Sequence, residues 1–171
     1  GVVADVDGAH DTAGINIANQ LIGNYGFEKL SETFQSNPVY SKTLHKKETK
    51  LFFVEEEIVN TQFLENQVNP ELLIFLSRHS SAKGIPTLSV HTPGNLSEVK
   101  FGGKPQTVSI SPAGAMKKAL CEMAKQVNEK KLDYKVSYEV THHGPSLNVP
   151  SMFVELGSSQ KQWGDIEAAK V

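Results

Sequence analysis

The residues ELLIFL at 71–76 decide the fold reading, together with the polar burst SRHSS at 77–81 that follows at once. The unbroken apolar run from Leu72 to Leu76 leaves neither face of an extended segment polar. That is the pattern of an interior strand covered on both sides of an α/β sheet. Downstream, residues 86–91 alternate, with Leu88 and Val90 on one face and Thr87, Ser89 and His91 on the other. Ser111-Pro112 predicts a helix start, a capping serine with proline at the first helical position. Ala113, Met116, Leu120, Met123 and Val127 continue it at helical spacing toward Lys130 and Lys131, which suit its C-terminus. Residues 134–140 alternate again and end in THHGP at 141–145. Residues 151–156 predict a further strand, and Ser158 the cap of a helix that contains Trp163.

Upstream, residues 2–6 fit a short strand, and Asp11-Thr12 an N-cap for a helix with Ile15, Ala18, Leu21 and Ile22 on one face. Asn24 and Gly26 supply its stop. Residues 37–50 read as a strand edge plus an exposed lysine-bearing loop, ahead of a short apolar run at 51–54. Strands alternating with helices at these lengths predict an α/β fold, a sheet flanked by helices. The connections 77–85 and 141–150 are too short for parallel crossovers, so the sheet should be mixed. Residues 1–171 read as one domain, and the helical run at 165–170 carries no closing signal, so we expect a full-length protein to continue past it.

Composition narrows the function classes. Hydrophobic residues at 39% and charged residues at 21% exclude a coiled coil, a collagen or a wholly disordered chain. A net charge of −2 and a pI near 6.3 provide no bulk attraction to nucleic acid or anionic membrane. Any polyanion would need a local patch; Lys42, Lys46, Lys47 and Lys50 offer one candidate, but they read first as a solvated loop. The single cysteine, Cys121, excludes an intrachain disulfide and a four-cysteine zinc site, and fits a reducing compartment. No apolar run approaches the ~20 residues of a membrane span, and no leader pattern opens the sequence. The expectation is a cytoplasmic domain with no membrane partner.

Four of the six histidines, His79, His91, His142 and His143, stand at or just past predicted strand ends, where open α/β sheets bind ligands. A neutral imidazole there can hold zinc or act as a base, and can equally be a plain hydrogen-bonding group. On a straight strand His142 and His143 would point to opposite faces unless Gly144-Pro145 turns the chain. Were 71–76 and 86–91 a plain hairpin, His91 would lie roughly 20 Å from His79. His79 with His142 or His143 is therefore the favoured set. Arg78, the only arginine, offers a fork for phosphate or carboxylate, or an ion pair with a glutamate. Ser80 and Ser81 lack the Gly-x-Ser-x-Gly surround of a nucleophile elbow. Glu139 can orient a histidine or activate water, or be an exposed strand carboxylate. The stretch from Gly94-Asn95 to Gly102-Gly103-Lys104 fits either a close backbone approach to phosphate or a bulge and turn. Cys121 lies ~140° around its helix from Met116 and carries no motif.

The stretches SRHSS at 77–81, VHTPGN at 90–95, FGGK at 101–104, THHGPS at 141–146 and ELGSS at 155–159, with Trp163 soon after, stand in one order. Together they closely resemble the archaeal and plant type of D-aminoacyl-tRNA deacylase, from about Asp11 to the end. The resemblance implies a phosphorylase/hydrolase-like fold and a hydrolase that cleaves the ester between a D-amino acid and the 3′ end of tRNA. It also implies zinc as cofactor. By match of motif the positions carried over are Arg78, His79, Ser80, His91, Asn95, Lys104, His142 and His143. Family chains run on to a further Gly-Gly-x-His-Tyr-Ala-Pro motif that this sequence does not contain.

On that basis His79 with His142 or His143 would hold zinc or a water at the ester, with His91 a further candidate ligand. Ser80 and Glu139 complete the candidate catalytic set. Backbone N–H groups at Ser80-Ser81 or Gly102-Gly103 would face the oxyanion. Arg78, Asn95, Gly102, Gly103 and Lys104 would meet the nucleotide. The alternatives are a metal-free hydrolase of the same ester and a tRNA-binding module without catalysis.

Overall fold

The computed structural model describes residues 1–6 and 11–171. In chain order the elements are β1 (Val2–Asp5), α1 (Thr12–Asn24), β2 (Glu28–Phe34), β3 (Asn37–Leu44) and β4 (Lys47–Val54). A 3-10 turn (Ile58–Asn60), α2 (Leu64–Val68), β5 (Leu73–Ser80), β6 (Thr87–His91), β7 (Gly94–Asn95) and β8 (Thr107–Val108) follow. The series ends with α3 (Ala113–Glu129), β9 (Lys135–Tyr138), β10 (Ser151–Ser158), α4 (Gln160–Trp163) and α5 (Ile166–Ala169). Eight strands form one mixed sheet in the order β2-β3-β4-β1-β5-β10-β6-β9. β4, β1, β5 and β10 run parallel, β6 runs antiparallel to β10, and β9 runs parallel to β6. The expected mixed α/β sheet with helices is thus the observed architecture.

The short connections at 77–85 and 141–150 do reverse the chain, but neither makes a hairpin. β10 sits between β5 and β6, and β6 sits between β9 and β10. Residues 37–50, read as an edge plus a loop, are instead most of an antiparallel β2-β3-β4 meander. Its tight turns place Gln35-Ser36 and His45-Lys46 at positive φ, where turn sequences ordinarily carry Gly, Asn or Asp. Without those residues the turns left no signal. β5 also runs four residues past the apolar core of its strand, so Ser77 to Ser80 belong to the sheet rather than to a loop beyond it. The helix expected from Ser111 starts at Ala113. The Ser111 hydroxyl meets Thr92 and the Met116 sulfur instead of capping. Ser159, not Ser158, precedes α4, and Asp165 caps the separate α5 through the N–H groups of Glu167 and Ala168.

The two faces of the sheet differ. On one, Leu88, Val90, Met152 and Leu156 pack with Met116 and Met123 of α3 and with Ala168 of α5, while Ala4 and Leu76 pack with Ala18 of α1. On the other, Val3, Phe75 and Phe153 meet Ile58, Leu64 and Leu147, a thinner cover of short helical turns and loop. His79, His91 and Glu155 share the strand parity of Phe75 and Phe153, which puts them on this thinner side.

α1 is anchored by Asp11, whose carboxylate accepts from Gly14 N and also from Ser77 Oγ and Arg78 N of β5. That tie draws the helix close: a Cβ on Gly14 would lie 2.6 Å from the Leu76 carbonyl oxygen, whereas one on Gly23 of the same helix would meet nothing within 4 Å. Alanine at either site adds helix propensity. We expect Gly23→Ala to stabilise by up to about 1 kcal/mol and Gly14→Ala to destabilise by about 1–3 kcal/mol through overpacking, both read from urea unfolding midpoints. Equal shifts would show that α1 does not sit this close to β5.

Candidate active site and metal centre

The site is assembled around Glu155, in the middle of β10 and 2% exposed. Its register partners are Ser77 on β5 and Ser89 on β6. On the same face, two residues further along β5, stands His79; two residues further along β6, which runs the other way, stands His91. One carboxylate oxygen faces each. Oε2 lies 3.6 Å from His79 Nδ1 and accepts from Ser89 Oγ at 3.2 Å. Oε1 lies 3.3 Å from His91 Nε2 and 3.9 Å from His143 Nε2. Glu139, just past β9, reaches across to His79 Nδ1 at 3.0 Å.

Two clusters therefore share one buried carboxylate. In the first, one nitrogen from each of His91, His142 and His143 lies within 4.8 Å of the others. The imidazole of His91 is fully buried, stacked on Phe153 with ring centroids 4.9 Å apart. The rings of His142 and His143 lie 4.5 and 4.7 Å from it. Each Nδ1 meets a backbone carbonyl: Thr92 at 3.2 Å, Val140 at 2.7 Å and Gly144 at 2.8 Å. A carbonyl only accepts, so Nδ1 carries a proton in each ring; a ring that also holds an Nε2 proton can donate it to Glu155, as the positions of His91 and His143 allow, and a ring that gives it up presents Nε2 as a lone-pair donor. Oriented by carbonyls, the three imidazoles make, once their Nε2 atoms are free of protons, a donor set that suits zinc with one position open. The second cluster, His79 with Glu139 and Glu155, offers one nitrogen and two carboxylates within the same limit.

Electrostatics separate the clusters. Hydrogen bonding to Glu139 and Glu155 pushes His79 up to about 9. Burial lowers His142, and the neighbouring histidines add to that. Burial also pulls His143 down, but Glu155 and the Gly144 carbonyl more than offset it. For Glu155 itself burial works upward and is overcome by His143, His79 and His91, which hold the carboxyl well below the usual range. The His142 ring thus suits a ligand, and the His79 ring a proton store.

This geometry revises several expectations. His79 and His91 are offset by about 13 Å along the sheet, and the pairing of His79 with His142 or His143 does not form. Those two turn to His91 instead, because the chain bends at 141–144. Among the described residues His79 and His91 are joined through Glu155, which the sequence reading did not single out. Its signal was available: a lone carboxylate within the apolar strand SMFVELGS. Ser80 follows His79 on β5, so it points to the opposite face, away from both clusters. The Ser81 N–H is spent on the Ser158 carbonyl, so it does not serve as an oxyanion donor. Arg78 also faces away from His79 and lays its guanidinium 5.4 Å from the centroid of the Trp163 ring, whose Nε1 donates to the His79 carbonyl.

Asn95 is 3% exposed and spends its amide on the carbonyls of Gly102 and Lys104, so it staples a loop rather than meeting a ligand. Gly102 and Gly103, at φ +58° and +77°, let that loop press on its neighbours. A Cβ would fall 2.1 Å from the Val59 carbonyl oxygen at the first and 2.8 Å from Ser146 Oγ at the second. The loop holds the histidines in place: Gly94 N donates to the His143 carbonyl at 2.5 Å and Gly144 N to the Phe101 carbonyl at 2.9 Å. Close packing, not a phosphate cradle, accounts for these glycines. Lys104 is exposed beside them. In the meander Lys47 pairs with Glu71 and Lys50 with Glu32, so two of the four lysines have their charge matched by a carboxylate, while Lys42 donates to the Tyr25 carbonyl and keeps its charge.

The histidine–carboxylate pairing sets the pH dependence. A histidine whose pKa rises on folding, as His79 does from 6.5 to about 9, stabilises fully below 6.5 and loses that contribution as pH rises through about 9. Glu139 and Glu155, lowered from 4.5, stabilise above 4.5 and lose their contribution as pH falls below it. Metal-free protein is therefore expected to be most stable between about pH 4.5 and 6.5 from these groups, with a decline toward pH 10 that Glu139→Gln diminishes. Thermal unfolding across pH checks this, and an unchanged alkaline limb in the variant would contradict the pairing.

Comparison with known proteins bears on the identity. Residues 66–171 match the family model described as D-aminoacyl-tRNA deacylase. The chain is 38% identical over 173 residues to a D-aminoacyl-tRNA deacylase of Thermococcus onnurineus, covering 94% of this chain and 61% of that protein. It is 39% identical over 168 residues to the one from Pyrococcus furiosus, covering 94% and 60%. The chain thus spans about 60% of the length of these curated relatives. Among solved structures, a conserved protein of unknown function superposes with a TM-score of 0.85 at 30% identity, covering 99% of this chain and 58% of that one. Futalosine hydrolase of Helicobacter pylori superposes with a TM-score of 0.52 at 12% identity, over 94% of this chain and 87% of that one, a likeness of fold alone. This chain, with its histidine loop and Glu155 inside the matched region, belongs to the D-aminoacyl-tRNA deacylase family.

Proposed function

We propose that the two clusters form the ester-cleaving centre of a D-aminoacyl-tRNA deacylase that acts in the cytoplasm and releases a free D-amino acid from tRNA. The observation that carries the reading is the orientation of His91, His142 and His143, each anchored at Nδ1 by a backbone carbonyl. A donor set prepared in this way fits zinc. When bound, zinc supplies Lewis-acid polarisation and a water acidic enough to attack an ester carbonyl near pH 7.

The chain's own groups supply the rest. Hydrolysis adds the oxygen of water to the acyl carbon, breaks the bond to the ribose oxygen and must deliver a proton to that oxygen. His79, held protonated by Glu139 and Glu155, stores such a proton at neutral pH. Glu155 keeps His79 and His91 in fixed relation, and Phe153 backs the His91 ring, so the cluster needs little rearrangement as charge develops. Among the described residues no helix is long and apolar enough to cross a membrane.

Replacing His142 and His143 together by alanine in the full-length protein is expected to lower deacylation of D-tyrosyl-tRNA by at least about a thousandfold, in line with the loss of a catalytic electrophile. Chelation should silence the wild type, and added zinc should restore it. Activity that survives exhaustive chelation would select the metal-free hydrolysis instead. Tight binding of aminoacyl-tRNA without cleavage by the zinc-loaded wild type would reduce the protein to a binding module.

A further inference from the structure

The loop between β7 and β8 carries an arrangement that the ester chemistry does not use. Phe101 is 67% exposed and Leu96 63% exposed, both large apolar side chains turned to solvent. Exposed side chains on a slack loop would mean little, but this loop is built. Asn95, buried beneath it, donates to the Gly102 and Lys104 carbonyls on the C-terminal side of Phe101. Lys104 N donates to Ser146 Oγ, and Gln106 N closes the loop on the Ser97 carbonyl. Gly102 and Gly103 accept contacts that no side chain would allow. A buried amide and two glycines in the left-handed region thus hold an aromatic ring outward, where burial gives it no reward.

Phe101 is also tied to the candidate centre. Its carbonyl accepts from Gly144 N at 2.9 Å, and Gly144 directly follows His143. The loop's charged groups are Lys100, Lys104 and Glu98, all exposed, so cations lie on both sides of the ring in sequence. An exposed aromatic flanked by cations is the chemistry that receives an unpaired nucleobase: the ring stacks on the base and the lysines meet neighbouring phosphates. In an aminoacyl-tRNA the ester sits on the ribose of the terminal, unpaired nucleotide. Its base must therefore lie within one nucleotide of the atoms that cut the ester.

Resting on the deacylase reading and extending it, we propose that Phe101 is the stacking platform for a terminal base of the single-stranded 3′ end of tRNA, with Lys100 and Lys104 on its phosphates. The platform sets where the ester falls relative to His142 and His143. It is a positioning element outside the reacting groups.

The test is fluorescence anisotropy with the full-length protein and a 5′-labelled RNA minihelix that ends in an unpaired ACCA. Phe101→Ala should weaken binding about tenfold, a typical loss for one stacked base, while Phe101→Trp should bind like wild type. A blunt minihelix without the overhang should bind wild type and Phe101→Ala alike. Lys100→Ala with Lys104→Ala should weaken binding and flatten its salt dependence. Affinity of Phe101→Ala within twofold of wild type, or no binding of the minihelix by wild type, would overturn the proposal. Unchanged affinity with a lowered melting temperature would also overturn it, and would show that Phe101 packs against protein. Phe101-dependent binding without cleavage of the D-aminoacyl ester would uphold the platform and defeat the deacylase reading.

Discussion

Glu155 carries a full negative charge in the interior of an eight-stranded sheet, with 2% of its surface in water. Desolvating a carboxylate costs several kcal/mol even after relaxation, and the cost is met only when its lone pairs are occupied. Here Ser89, His79, His91 and His143 surround it. Strand parity puts His79 and His91 on the thinly covered face beside the carboxylate, and these two with His143 hold it well below its usual range. A well-packed apolar residue would serve stability at least as well. Ionisable groups concentrated at this cost mark a site where chemistry is prepared.

Topology makes the arrangement possible. β10 enters between β5 and β6, parallel to one and antiparallel to the other. Residues two positions beyond the register partners of Glu155 therefore lie on opposite sides of it along the strand axis. His79 takes one side and His91 the other, and each meets its own carboxylate oxygen. The proton-holding cluster and the zinc-compatible cluster are kept apart by the strand rise and joined by one side chain. The glycine-rich loop then pins the chain at His143 and Gly144 through backbone hydrogen bonds, which completes the three-histidine set.

Much of this was legible in the sequence, for identifiable reasons. The apolar run at 72–76, the Asp11 cap and the helical spacing from Ala113 to Val127 are local signals, and the elements they predict are present. The short reversing connections correctly implied a mixed sheet. Strand neighbours are not local, however: nothing within 71–91 says that β10 will enter between β5 and β6. Assuming a hairpin there set His91 aside and paired His79 with the wrong partners. The β2-β3-β4 meander was hidden because its turns use Gln35-Ser36 and His45-Lys46 at positive φ. Asn95, Gly102 and Gly103 looked like ligand-binding residues because a tight loop and a phosphate cradle call for the same residue types. Glu155 was visible as a charge in an apolar strand, but its partners come from elements 64 to 76 residues earlier and 12 to 16 earlier in the chain, and spacing alone does not unite them.

The central proposal is that His91, His142 and His143, rather than His79, would hold a metal. Anomalous diffraction at the zinc absorption edge, on crystals of the full-length protein grown with zinc, tests it most directly. The account predicts a peak about 2.0–2.1 Å from the Nε2 atoms of those three histidines. Anomalous density confined to His79, Glu139 and Glu155, with none at the three histidines, would contradict it.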